Sequence, residues 1–179
     1  AGGGVGLATI DVAKAMGARV IAAASSAEKL QLAQAHGADQ LLDYTLVDLR
    51  KTLLQCTDGA GPDVVLDPVG GTHAEAALRA TAWRGRYLVV GFAAGDIPRM
   101  PLNLALLKER QILGVYWGEA VQRDPKQHAA NVGQLLQWFG TGQVRPEITE
   151  TVALAQAADA IARMSRRETR GKVVVTIEG

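Results

Sequence analysis

From Ala1 to Trp117, short apolar runs alternate with longer stretches in which apolar residues recur at helical spacing. The apolar runs are Arg19–Ala24, Gln40–Asp43, Asp63–Asp67, Arg86–Gly91 and Gln111–Trp117. Each is brief and too continuously apolar for one face to meet water, which predicts buried parallel strands. Between them, Leu7, Ile10 and Met16 mark one helical face, and Leu30, Ala33 and Ala35 the next. Leu49, Leu53 and Leu54 follow, then Ala74, Ala77 and Leu78. Gly17, Gly37 and Gly85 stand just past such stretches, where a left-handed residue ends a helix at little steric cost.

This β-α-β rhythm predicts an α/β fold: a doubly wound, Rossmann-type parallel sheet with helices on both faces. Such a sheet needs a strand directly before its glycine turn, whereas the sequence opens on the turn at Ala1. The first strand is therefore expected from residues upstream. After Gly142 the rhythm changes. Gln143–Thr151, which contains Pro146, reads as an extended connection, Leu154–Met164 as a helix and Lys172–Ile177 as a closing strand. The predicted division is a dinucleotide-binding domain over 1–142 and a C-terminal helix-strand appendage over 143–179. Arg163, Arg166, Arg167, Arg170 and Lys172 give that tail a local basic excess, best read as a solvated face.

The opening Ala1-Gly2-Gly3-Gly4-Val5-Gly6 runs straight into an apolar-periodic helix. Glycines let a backbone approach a pyrophosphate, and a helix N-terminus adds unpaired N–H groups and partial positive charge. Gly3 and Gly6 fit the second and third glycines of the dinucleotide fingerprint, and Ala1 stands in the first position. Some 20 residues on, an acid at the end of the second strand normally binds the ribose hydroxyls. Here the stretch reads Ala22-Ala23-Ala24-Ser25-Ser26, with no acid, and Lys29 one helical turn later. A carboxylate would repel a 2′-phosphate, whereas a serine and a lysine can bind one. The pattern favours NADPH over NADH. Ser25 or Ser26 also suits the cap of the Ala27–His36 helix, and Glu28 fits only if it points away.

Composition narrows this little. At 179 residues with 48% apolar and 21% charged, the chain can bury a core, and a net charge of +1 gives no field for nucleic acid or membranes. No apolar run approaches a membrane span. The single cysteine, Cys56, excludes an intrachain disulfide and suits a reducing, cytoplasmic compartment. His36 reads as a helix C-terminus, His73 as a helix start and His128 as an exposed helical position. None is assigned catalysis, Cys56 is assigned packing, and no metal ligands are assigned.

Together, the glycine turn, Ala24-Ser25-Ser26-Ala27-Glu28-Lys29, Asp67-Pro68-Val69-Gly70-Gly71, Val89-Val90-Gly91-Phe92, Gly114-Val115-Tyr116-Trp117-Gly118 and Gly171-Lys172-Val173-Val174 resemble one family. It is the medium-chain dehydrogenase/reductase family, in its NADPH:quinone oxidoreductase branch. The resemblance implies that Gly3, Gly4, Val5 and Gly6 seat the pyrophosphate. It puts Ser25, Ser26, Lys29 and Tyr44 at the 2′-phosphate and adenosine end. It sets Val69 and Gly70 beside the cofactor, and Gly91, Phe92 and Ala93 along the nicotinamide. Val115, Tyr116 and Trp117 would border the carboxamide on a strand whose edge joins two subunits. Residues 143–179 would return to an absent, β-rich, GroES-like catalytic domain. The alanine-first turn and the Tyr116-Trp117 pair favour the zinc-free branch, although zinc ligands in relatives lie largely upstream.

The implied activity is hydride transfer from NADPH to a small molecule, a quinone or α,β-unsaturated carbonyl. Enoyl-thioester reduction and zinc-type alcohol oxidation share the fold. With half the cleft absent, the chain alone is expected to bind NADPH without turnover. The implied partner is a second copy, joined through Gln111–Trp117.

Overall fold

A computed structural model describes residues 1–166 and 168–177; Arg167 of the basic tail lies outside them. In chain order the elements are α1 (Gly4–Ala15), β1 (Ile21–Ala24), α2 (Ala27–Ala35), β2 (Gln40–Asp43) and α3 (Leu49–Gln55). Next come β3 (Val64–Asp67), α4 (Ala74–Ala80), β4 (Arg86–Val89), α5 (Asn103–Leu106) and β5 (Gln111–Gly114). The chain continues through α6 (Trp117–Arg123), α7 (Pro125–Gly140), β6 (Ile148–Ala153), α8 (Ala157–Ser165) and β7 (Lys172–Thr176). The class is α/β, and each strand pair is parallel. Among the described residues no helix is long and apolar enough to cross a membrane. The chain divides into two compact units, Ala1–Thr45 with Gly133–Gly179, and Leu46–Val132.

In the first unit β1 pairs with β2 from Ile21↔Gln40 to Ala24↔Asp43. Leu7 and Ile10 of α1, Ala33 of α2, Ala22 and Ala38 form the core over this pair. Their spacing is that of an inward helical face, and Asp11 shares that face at 5% exposure. Gly17 and Gly37 end the two helices at φ 78° and 92°, as predicted for them, whereas at the third predicted stop Arg84 (φ 56°) and not Gly85 takes the left-handed angle. The second parallel pair of this unit, β6 with β7, adjoins the glycine turn through a bridge between Gly3 and Gly171.

In the second unit the order is β3-β4-β5. Ala74 and Leu78 of α4, Tyr87 of β4 and Leu104 of α5 form its core. Arg110, 8% exposed, donates from Nε to the Thr81 carbonyl, from Nη1 to Leu104 and from Nη2 to Arg79, each at 2.8 Å.

Several expectations need correction. Four strands are shorter than their apolar runs: Ile21–Ala24, Val64–Asp67, Arg86–Val89 and Gln111–Gly114. The last is cut because β4 ends at Val89; Val115 N donates to the Val89 carbonyl at 2.9 Å, and then the chain turns into α6 at Trp117. Burial of every strand also fails. All four residues of β5, which is paired on one side only, are exposed, and Val64 of β3 is 40% exposed. Residues 143–151 are not simply a connection, because β6 begins at Ile148 and pairs with β7. The predicted helix at Leu154 opens as a 3₁₀ turn, Leu154–Gln156, before α8.

Candidate cofactor site

The glycine turn leads into α1 with Gly3 as an extended N-cap (φ −95°, ψ 169°), no side-chain cap and no acid in the first turn. The amides of that first turn are thus left to other acceptors, in the positive end of the helix field. A Cβ on Gly6 would run into the backbone of Ala1, and one on Gly2 would overlap the Lys29 stem. Packing therefore requires the small residue at both positions. Gly3 differs: its backbone angles suit any residue, and a Cβ there meets no atom within 4 Å. A Cβ on Gly4 would make only ordinary contacts, 3.4 Å from the Gly171 carbonyl and 3.8 Å from Lys172 Cγ. Val5 is exposed.

At the end of β1 the two serines divide their tasks. Ser26 caps α2, its Oγ accepting from Lys29 N at 3.4 Å. Ser25 stays outside the cap, and Lys29 Nζ donates to its hydroxyl at 3.3 Å. A cation and a hydroxyl are thus held together beside the glycine turn. Glu28 lies 3.9 Å from Arg170, a distant ion pair between exposed side chains. Tyr44 follows β2, and its amide extends the β1–β2 ladder to the Ala24 carbonyl at 3.1 Å.

In the second unit the loops leaving β3 and β4 are stitched together at the carboxyl ends of the strands, the side on which open α/β sheets bind ligands. The amides of Val69 and Gly70 both donate to Asp67 Oδ1, at 2.8 and 2.9 Å. Ala93 N donates to the Pro68 carbonyl at 3.2 Å and Ala94 N to Val69 at 2.9 Å. Gly70 sits at φ 65°, and a Cβ there would stand 2.9 Å from the Phe92 ring. Val69, Gly70, Gly91, Phe92 and Ala93 therefore form one local assembly. Beneath it lies a cavity of about 120 Å³, lined by Gly91 and Phe92 together with Asp67, Tyr87, Ile97, Met100 and others. Val115, Tyr116 and Trp117 lie past the end of β5 and are 43%, 77% and 70% exposed. Trp117 meets His128 edge-on at 5.9 Å between ring centres.

Two arrangements escaped the sequence reading. Tyr87, 2% exposed, donates its hydroxyl to Asp67 Oδ2. Burial first, and then the bond to the Asp67 charge, push its pKa far up, so it stays a donor. Asp67 stands within a motif string that carried no role for it. The second arrangement centres on His36, whose Nδ1 meets Asp11 Oδ1 at 2.6 Å and whose Nε2 meets Glu147 Oε2 at 3.3 Å. The other Asp11 oxygen accepts from Arg145 N at 2.9 Å. His36 thus has a structural role, and His73 opens α4 from a 3₁₀ turn. Among the described residues, no three His, Cys, Asp or Glu side chains converge to hold a metal.

The model of the zinc-binding dehydrogenase family matches residues 4–136. The chain belongs to that family. It is 38% identical over 179 residues to quinone oxidoreductase-like protein 2 of Bos taurus, covering 99% of this chain and 51% of the relative. Among solved structures, Escherichia coli quinone oxidoreductase complexed with NADPH superposes with a TM-score of 0.86 at 27% identity, over 98% of this chain and 55% of that one. An NAD-dependent alcohol dehydrogenase superposes with a TM-score of 0.87 at 32% identity, over 99% and 49%. These likenesses support the quinone oxidoreductase branch and the fold expected from the sequence. The chain spans about half the length of the curated relatives it matches.

Proposed function

We propose that this chain is the NADPH-binding part of an oxidoreductase that passes hydride to a quinone or an α,β-unsaturated carbonyl. The observation that carries the reading is the Lys29–Ser25 pair, 3.3 Å apart, with Lys29 lying across Gly2 at an uncapped helix start. A 2′-phosphate suits that pair, which NADH would leave unused. At Gly3, neither the backbone nor packing within the protein requires glycine. A pyrophosphate close to the chain does require it. Gly3, Gly4, Val5 and Gly6 hold the pyrophosphate, while Ser25, Ser26, Lys29 and Tyr44 hold the phosphorylated adenosine. Val69, Gly70, Gly91, Phe92, Ala93, Val115, Tyr116 and Trp117 border the nicotinamide half. When bound, the cofactor supplies the hydride; the residues of this chain orient it and keep water from it, and none is assigned as an acid or base.

Residues 1–142 form the cofactor domain in this reading, and 143–179 return to a GroES-like catalytic domain that contributes the other cleft wall. The single cysteine supports a cytoplasmic protein. Because the chain spans about half of its relatives, a second reading is NADPH binding without turnover by this chain alone. Fluorescence titration with NADPH and NADH tests the cofactor assignment. NADPH should bind more tightly, and Lys29→Ala should weaken it by about tenfold or more, with NADH within about twofold of its original affinity. Equal affinities in the unaltered protein, or equal losses in the variant, would sink the 2′-phosphate reading.

A further inference from the structure

Tyr87 is a costly choice for its position. Its ring packs with Ala74, Leu78 and Leu104, where a phenylalanine would fill the same core, and a buried hydroxyl destabilises unless it is bonded. In the β3–β4 register Val65 faces Tyr87 and Asp67 faces Val89. Tyr87 and Asp67 are therefore diagonal neighbours on one face, within reach of an aromatic side chain. The hydroxyl takes Oδ2, leaving Oδ1 for the Val69 and Gly70 amides. A free carboxylate rotates about its Cβ–Cγ bond; one pinned by a buried phenol does not. Through Gly70 against Phe92, and through Val69 O to Ala94 N, the same pin fixes the loop after β4.

We propose that Tyr87 is a positioning residue for the cofactor: acting through Asp67, it sets the Val69–Gly70 turn and with it the Gly91–Ala93 loop that border the nicotinamide half. This rests on the NADPH reading above, and it separates the nicotinamide half from the adenosine half, whose assigned residues lie elsewhere in the chain. Loss of the fold as a whole on changing Tyr87 would weaken binding of both halves alike.

The test measures binding of NADPH and of 2′,5′-ADP, which carries only the phosphorylated adenosine half. Tyr87→Phe should lower NADPH affinity about tenfold and leave 2′,5′-ADP within about twofold. Asp67→Ala, which removes the acceptor from both amides, should cost NADPH about thirtyfold with 2′,5′-ADP again spared. Asp67→Asn keeps an oxygen for the amides and an NH₂ for the Tyr87 oxygen, so it should stay within about threefold of the unaltered protein. Should Tyr87→Phe not fold, the two Asp67 variants decide alone. Unchanged NADPH binding in Tyr87→Phe or Asp67→Ala overturns the proposal, as does equal loss of both ligands. An asparagine as damaging as alanine overturns the acceptor role of Asp67. If the unaltered, folded protein binds neither ligand, the cofactor reading itself falls, and the positioning role with it.

Discussion

Arg110 shows how one side chain can close off the end of a helix. Its guanidinium reaches the carbonyls of Arg79 and Thr81, at the C-terminal end of α4, and of Leu104 in α5. Helix-end carbonyls lack intrahelical partners and sit in the negative end of the helix field, so a cation bonded to them offsets both costs. Arg110→Ala should lower stability by about 3 kcal/mol, because buried acceptors would lose charged donors. Arg110→Lys should recover only part, since one ammonium cannot replace a planar fork of donors. Urea unfolding measures both, and an alanine variant within about 0.5 kcal/mol of the original would contradict the account. The same contrast between local and distant partners explains Ser25 and Ser26. The cap at Ser26 is a short-range feature readable from the sequence, whereas only the structure shows Ser25 left free of it for Lys29.

At the scale of elements, α1, β1, α2 and β2 were legible because their signals are local: apolar spacing, a serine cap, and glycines at φ 78° and 92°. β6 was not, because Thr149, Glu150 and Thr151 read as part of an extended connection; its β-branched residues become a strand through pairing with β7, about 24 residues further on at Ile148↔Lys172. Asp11 was missed for a similar reason. It lies one turn beyond Leu7 on the buried face, but its partners His36 and Arg145 are 25 and 134 residues away. Asp67 and Tyr87, 20 residues apart, left no contiguous signal either. β6 is joined to α8 by a forked pair, Arg163 Nη1 and Nη2 to the two Glu150 oxygens at 3.0 and 2.6 Å. The hydrogen bond from Arg163 holds the Glu150 pKa below its ordinary 4.5. A carboxylate with a depressed folded pKa contributes stability above its unfolded value and loses it as pH falls through the folded one. The melting temperature should therefore drop on acidification below 4.5 more steeply in the unaltered protein than in Glu150→Gln. Parallel curves in a thermal scan across that range would refute the coupling.

For the whole molecule, the exposed edge strand β5 carries the consequence for assembly. Ile112 and Leu113 are 38% and 40% exposed on a strand paired on one side only, and Tyr116 and Trp117 just beyond it are more open still. An apolar edge of this kind invites a second strand, so we propose that the second copy implied through Gln111–Trp117 pairs along β5. Sedimentation at micromolar concentration should give twice the mass of one chain, and Leu113→Lys should shift it towards the single-chain mass. A single-chain mass for the unaltered protein would count against that interface. In the other unit, the parallel bridge from Gly3 to Gly171 has a consequence for synthesis. Translation at about 5–20 residues per second separates the two glycines by on the order of ten seconds. During that interval the nascent chain carries the glycine turn without its bridging partner, so the turn is completed only once Gly171 has been made.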